Sequence, residues 1–357
     1  MISSIIHRSV VFLCAIFLFA CFKNSADIQK FNNERSFHFT YKVDIKSTRG
    51  QKLELWIPIP QTNEVQTILN LIIDTHGLDY SIENENIHGN KYLYVNDVKG
   101  IIQKTSVIMN FDVIRKEHKN VIYENVDPTK YLGPYSMVPV DGVFKKIISE
   151  NKLFKDDVFG IYDYVFKGMH YAKPKSVNDK YYNAPWLNAD ATYGMKKVSR
   201  DKIVKLYEKS IIEGSNYTFG NGNAIYACDI GVGNCTDYHS YFMSLNRTLE
   251  IPTRFHMGFS IPLEEEGKIG GYHCWSDYYV VDEGWYPVDI SEADKDPDRK
   301  DYFFGTVCEN RLEMMVGRDF KLKGCESETI NFFIYPILEV NDEESSLFSK
   351  SFTYKNL

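Results

Sequence analysis

The sequence predicts an α+β protein, on three observations. Residues 36–116 alternate apolar and polar side chains, as in Tyr41, Val43, Ile45 and again Val107, Met109, Phe111, Val113, the period of half-buried strands. From residue 156 the spacing changes to a helical one, with Val158, Ile161, Val165 and Met169 on one face. Residues 233–291 then combine both periods, a helical stripe followed by two strand-like runs. An aromatic share of 15%, mostly Tyr and Phe, fits a strand-rich chain better than a helical bundle.

Taken in order, the chain opens on a targeting segment. His7 and Arg8 precede an unbroken apolar run over residues 10–20, too short to span a bilayer and of the length of a signal-peptide core. The run ends Leu18-Phe19-Ala20-Cys21, which resembles a bacterial lipobox with a bulkier residue than usual at Phe19; the resemblance implies a signal peptide at 1–21 and a lipid on Cys21. Residues 22–34 are a polar tether. Leu53-Glu54-Leu55-Trp56-Ile57 adds a strand to those at 41–45 and 107–113, and Arg49-Gly50, His88-Gly89-Asn90 and Lys99-Gly100 supply turns, so 35–120 is an N-terminal antiparallel β-domain. Residues 121–150 are punctuated by Pro and Gly and are expected to link it to a domain at 151–300. A second helix is expected after Ser199, with an irregular loop at 174–195 containing Trp186. Residues 301–357 are expected to add strands packed on the core.

Charge and cysteine content exclude some functions. Lys and Arg number 41 against 48 Asp and Glu, a net charge of −7, and there is no basic stripe, so nucleic acid is not an expected partner. The segment 220–233 is rich in glycine but lacks the spacing and lysine of a phosphate loop. No CxxC pair or HExxH helix points to a metal, and no cofactor is expected. Asp294, Asp296 and Asp298 open like a calcium loop, but Arg299 and Gly305 occupy its sixth and twelfth positions, which favours a solvated acidic loop. Cys228, Cys274, Cys308 and Cys325 allow two disulfides in three connectivities, or four free thiols.

The chemistry is concentrated at 233–291. Cys235 begins a stripe of Tyr238, Phe242, Leu245 and Leu249, so it lies in the first turn of a helix, where unpaired N–H groups and the dipole favour a thiolate. Those N–H groups could also hold an oxyanion. A thiol nucleophile needs a paired imidazole, and the imidazole needs a carboxylate to fix its tautomer. His273 and Asp289 follow in that order on two adjacent strands. Strand register is the open point. A turn at Asp282-Glu283-Gly284 would set Asp289 near Asp277 and roughly 13 Å from His273, whereas direct opposition needs a turn centred on Val281, or a bulge. His239, one helical turn past Cys235, has either a site-adjacent or a packing role, while Trp275 and Trp285 read as core.

Gly233-Asn234-Cys235, Ile251-Pro252-Thr253-Arg254 with Gly258, His273-Cys274-Trp275 and Gly284-Trp285-Tyr286-Pro287-Val288-Asp289 together resemble the transglutaminase-like superfamily. That resemblance covers roughly residues 154–294 and continues more loosely through Tyr302-Phe303-Phe304-Gly305 and Gly317-Arg318-Asp319, as in bacterial members. It implies a papain-like core with Cys235 as nucleophile, His273 as general base and acid, and Asp289 as the orienting carboxylate. Cys274 stands where the family often has Ala, and Ile290-Ser291 replaces a frequent Pro-Thr. The family's aromatic residue near the oxyanion has no clear counterpart, with Trp186 a candidate. The expected function is thioester-forming transfer or cleavage of amides of a protein or peptide substrate, with hydrolysis slightly favoured over cross-linking. An inert envelope binding or structural module on the same fold is the alternative. Asn234-Cys235-Thr236 matches a glycan acceptor that would obstruct the thiol, which favours a bacterial envelope location, with the membrane reached through Cys21.

Overall fold

A computed structural model describes residues 33–171, 217, 219–327 and 329–357. The signal segment, most of the tether, the 174–195 loop with Trp186 and the helix expected after Ser199 lie outside the described residues.

Alternation decides the N-terminal strands. In β1 (Glu34–Ile45) Phe37, Phe39, Tyr41, Val43 and Ile45 are buried and the residues between them are only partly so. Then follow β2 (Leu53–Ile59), buried on both faces, β3 (Gln66–Asp74), β4 (Tyr80–Asn84), β5 (Lys91–Asp97) and β6 (Thr105–Lys116), which repeats the alternation of β1. The connecting segment is not free of structure. Pro128–Tyr131 is a 3-10 turn capped by Asp127, Val143–Asn151 is a helix, and Val121 bridges to Trp285.

The helix predicted around Val158, Ile161 and Val165 runs Val158–Gly168, with Asp157 accepting from Gly160 N at its start. Next come β7 (His170–Tyr171), the helix Ala224–Ile230 and β8 (Val232–Gly233), which pairs in parallel with β7. The central helix is Cys235–Thr248, and behind it β9 (Thr253–Ser260), β10 (Glu266–Lys268), β11 (His273–Val280) and β12 (Gly284–Val288) lead to the short helix Ile290–Lys295. The chain closes with β13 (Arg311–Val316), β14 (Ile337–Val340), β15 (Glu343–Glu344) and β16 (Phe348–Asn356).

Three antiparallel sheets result, ordered β10-β16-β1-β6-β3, β15-β14-β2-β5-β4 and β12-β11-β9-β13. The last strand, β16, pairs with the first along its length, from Phe37 opposite Asn356 to Ile45 opposite Phe348. Both larger sheets thus mix strands from the two ends of the chain, and β10, which lies between two strands of the third sheet, edges the first. One hydrophobic cluster joins Phe39, Leu55 and Val113 to Phe259, Leu312 and Cys235. A second joins Ile161, Tyr162 and Val165 to Ala227, Tyr238, Phe242 and Tyr278. The central helix lies between the two clusters. Each fully buried Phe or Leu contributes about 1.5–3 kcal/mol of transfer free energy, so the helix is held from both sides. Its burial exceeds the single apolar stripe read from its sequence, because Thr236, Asp237, His239, Ser240, Ser244 and Asn246 are also fully buried. Buried polar groups must find partners, and those partners build the site.

Candidate active site

The start of the central helix is fixed by a capping box. Asn234 Oδ1 accepts from Thr236 N at 2.9 Å, and Asp237 Oδ2 accepts from Asn234 N at 3.0 Å. Asp237 also takes Gly220 N at 2.9 Å and Gly222 N at 3.0 Å, so one buried carboxylate binds the preceding loop to the helix. Burial pushes its pKa up to about 7 against the lowering by these three N–H groups. Two glycines allow the close approach. A Cβ on Gly233 would fall 2.4 Å from Asp237 Cβ, and one on Gly222, whose φ is +61°, would fall 2.6 Å from Thr236 Cγ2. Buried Arg318 closes the arrangement by donating to Ser240 Oγ at 2.6 Å and Gly222 O at 3.0 Å. Cys235 is therefore presented as the first helical residue, as the apolar stripe predicted.

The hairpin β11–β12 brings up the other two residues. Val280 pairs with Gly284 across a three-residue loop in which Asp282 has φ +64°, and the ladder ends at Ser276 opposite Val288. Continued one step, it would put Asp289 opposite Trp275, two residues from His273. This register lies between the two read from the sequence. Residues on such a diagonal stand about 7–8 Å apart, with their Cβ atoms somewhat closer, within reach of a histidine and a carboxylate. At Asp289 the chain leaves the strand to cap the helix Ile290–Lys295. His273 Nε2 thereby donates to Asp289 Oδ2 at 2.6 Å without either direct opposition or a bulge. The second carboxylate oxygen accepts from Ser291 Oγ at 2.9 Å and Glu292 N at 3.1 Å, and Arg311 Nη2 lies 3.4 Å from Oδ2.

With Nε2 committed to Asp289, the imidazole is left with Nδ1 for a second partner. The neighbouring Cys274 thiol first, and then His273, hold the Cys235 thiol well below its ordinary pKa although burial opposes it. Burial lowers the pKa of His273, but the Asp289 carboxylate overrides it and raises the value to about 9. His273 in turn holds Asp289 far below the carboxylate range, again against burial. These opposed shifts describe a thiolate–imidazolium pair backed by a carboxylate.

His239 has a site-adjacent place. Its Nε2 accepts from Ile290 N at 3.1 Å, which puts its proton on Nδ1, donated to Cys235 O at 2.6 Å. It spans the Cys235 backbone and the residue after Asp289, and burial lowers its pKa, favouring the neutral form. Trp275 is core, with its ring parallel to His256 at 5.6 Å and tilted 25° to His273 at 6.3 Å. Trp285 is core as well, under Arg254 at 4.2 Å. Among the described residues, Cys235, Cys274, Cys308 and Cys325 are in no disulfide. Among the described residues, His273, Asp289 and Glu292 offer donor atoms within 4.8 Å of one another, a metal-like spacing. The Arg311 guanidinium beside both carboxylates already supplies the positive charge there.

Asp237, Tyr272, Arg311 and Arg318 were not singled out as site residues from sequence. Only Asp237 had a local signal, its place three residues after the capping Asn234. The others reach the site through the tertiary fold.

Residues 187–290 match the family model of the transglutaminase-like superfamily, a stretch that contains Cys235, His273 and Asp289. An uncharacterized protein of Haemophilus influenzae is 24% identical over 384 residues, covering 92% of this chain and 93% of its own. Among solved structures, a candidate cysteine protease of Cytophaga hutchinsonii superposes with a TM-score of 0.52 at 13% identity, covering 91% of this chain and 92% of its own, and so shares the fold. The periplasmic domain of TgpA from Pseudomonas aeruginosa matches more distantly, with a TM-score of 0.34 at 11% identity, covering 73% of this chain and 90% of its own.

Iodoacetamide alkylates the thiolate, so the labelling rate of Cys235 against pH reads its ionisation. The wild-type rate is expected to level off well below pH 8.5, the value of a free thiol. In His273→Ala the plateau should move up by at least about one unit, since loss of the imidazolium disfavours the thiolate. Identical profiles in the two proteins would contradict the ion pair.

Proposed function

On a chain that carries a transglutaminase-like superfamily domain, we propose a thiol-dependent acyl-transfer enzyme in which Cys235 is the nucleophile, His273 the base and acid, and Asp289 the residue that orients His273. The observation that carries this reading is the 2.6 Å His273–Asp289 hydrogen bond beside a thiol at a helix start.

The reaction divides in two. The Cys235 sulfur attacks an amide carbonyl, and its electron pair forms the C–S bond while the carbonyl electrons move to oxygen. Collapse of this intermediate expels the amine, which takes the proton held by His273, and leaves a thioester. In the second half His273 removes a proton from the acceptor as it attacks, and the thiolate leaves. Water as acceptor makes the protein a protease or amidase, and an amine makes it a cross-linker. Water is the abundant acceptor and prevails wherever no pocket concentrates an amine, so hydrolysis is the favoured outcome. We further propose that the chain is lipid-anchored through Cys21 in a bacterial envelope and acts on protein or peptide substrates there.

Two measurements test these readings. Incubated with a Gln-containing peptide and a labelled amine, the protein is expected to release cleaved or deamidated peptide in excess of amine conjugate. Predominant conjugation would make it a transglutaminase, and neither product, together with an unreactive thiol, would leave an inert binding module. For the anchor, Cys21→Ala is expected to move the protein from the membrane to the soluble envelope fraction; unchanged membrane retention contradicts lipidation at that residue.

A further inference from the structure

Tyr272, immediately before His273, sends its hydroxyl back to the start of the central helix. The oxygen lies 2.8 Å from Thr236 Oγ1 and 3.5 Å from Asn234 Nδ2. Its position is fixed from behind, because Tyr272 N donates to the Tyr335 hydroxyl at 3.1 Å and the two rings meet edge to face at 5.8 Å. These contacts lie on either side of the thiol in sequence, since Asn234 and Thr236 flank Cys235.

The direction of each hydrogen bond follows from what each atom can do. Asn234 spends its amide oxygen on Thr236 N, so its NH2 faces Tyr272 and can only donate. Cys274 lies with its sulfur 3.7 Å from Thr236 Oγ1 and donates there, which frees the Thr236 proton for Tyr272. With Asn234 and Thr236 both donating to it, the Tyr272 oxygen accepts twice and its own proton has no acceptor within this network. Burial first, and then the charge on Cys235, raise the pKa of Tyr272 well above its ordinary value, so the hydroxyl stays protonated.

We propose that Tyr272 is a catalytic residue, its hydroxyl supplying, with the backbone N–H of Cys235, the two donors that hold the carbonyl oxygen once Cys235 attacks it. The proposal rests on the acyl-transfer reading. As the first helical residue, Cys235 has an N–H with no intrahelical acceptor, and it points from the same helix start. The arrangement favours the intermediate over the resting state. Cys274 donates to Thr236, Thr236 donates to Tyr272, and the Tyr272 proton, which has no acceptor in this network at rest, is taken up by the oxyanion once it forms. Donors that strengthen only as charge appears on the carbonyl oxygen accelerate the chemical step. The Cys at 274, where the family often has Ala, thus feeds the donor chain.

The test compares two reactions of the same sulfur. Acylation by a p-nitrophenyl ester, followed as the burst of p-nitrophenolate, passes through an oxyanion; alkylation by iodoacetamide, at a saturated carbon, does not. Tyr272→Phe is expected to slow acylation by about 100- to 1,000-fold, with KM little changed, and to leave alkylation within about twofold of wild type. Thr236→Val, which keeps the tyrosine and removes its orienting donor, is expected to slow acylation less, by about 10-fold, again sparing alkylation, and it decides the matter if Tyr272→Phe does not fold. Unchanged acylation in the variants overturns the proposal and leaves the acyl-transfer reading standing. A parallel fall in alkylation overturns it in favour of a structural role. A wild-type protein that alkylates normally but shows no acylation burst overturns the acyl-transfer reading, and this proposal with it.

Discussion

The site depends on a carboxylate reaching a histidine across a strand diagonal. Asp289 meets His273 only because the β11–β12 loop is centred on Asp282, and because the strand ends at Val288 so that Asp289 can turn out as a helix cap. One residue of register either way would move the carboxylate to the opposite face of the hairpin. The same oxygen atoms serve structure and site at once, holding His273, Ser291, the Glu292 N–H and Arg311. Removing one partner from such a buried set costs about 3–5 kcal/mol, which is why the geometry is held in one state.

The helix start is the second fixed point, and it is built from the opposite direction. Asp237 gathers the Gly220–Gly222 backbone, Arg318 ties that loop to Ser240, and His239 links Cys235 to the residue after Asp289. Cys235 and its neighbours are therefore joined by hydrogen bonds within the buried interior rather than by surface chain. Asp237, His239 and Ser240 are partnered in this way, while the Ser244 hydroxyl and the Asn246 amide, also buried on this helix, have no hydrogen-bond partner among the described residues.

Much of this is visible in the sequence, and the rest is missing for identifiable reasons. The alternations in β1 and β6 appear as read, because half-buried strands write their burial every second residue. The helix beginning at Cys235 follows from the stripe through Tyr238, Phe242 and Leu245. Spacing could not settle the His273–Asp289 register, since a one-residue change of turn centre moves the pairing by two residues and only the left-handed Asp282 selects it. Arg311 comes from beyond the resembling segment and Arg318 from its looser continuation, which implied no role for it, and the Tyr272 hydroxyl points back to the helix start from just before β11. The long pairing of β16 with β1 is a contact between chain ends, on which local patterns carry no information.

The most direct measurement is to trap the covalent intermediate. Acid quenching during turnover of a p-nitrophenyl ester, followed by peptide mass spectrometry, should find one acyl group on the peptide containing Cys235, labile to hydroxylamine as a thioester is, and absent in Cys235→Ala. An acyl group on another residue, or none on a Cys235 that iodoacetamide still alkylates, would contradict the account.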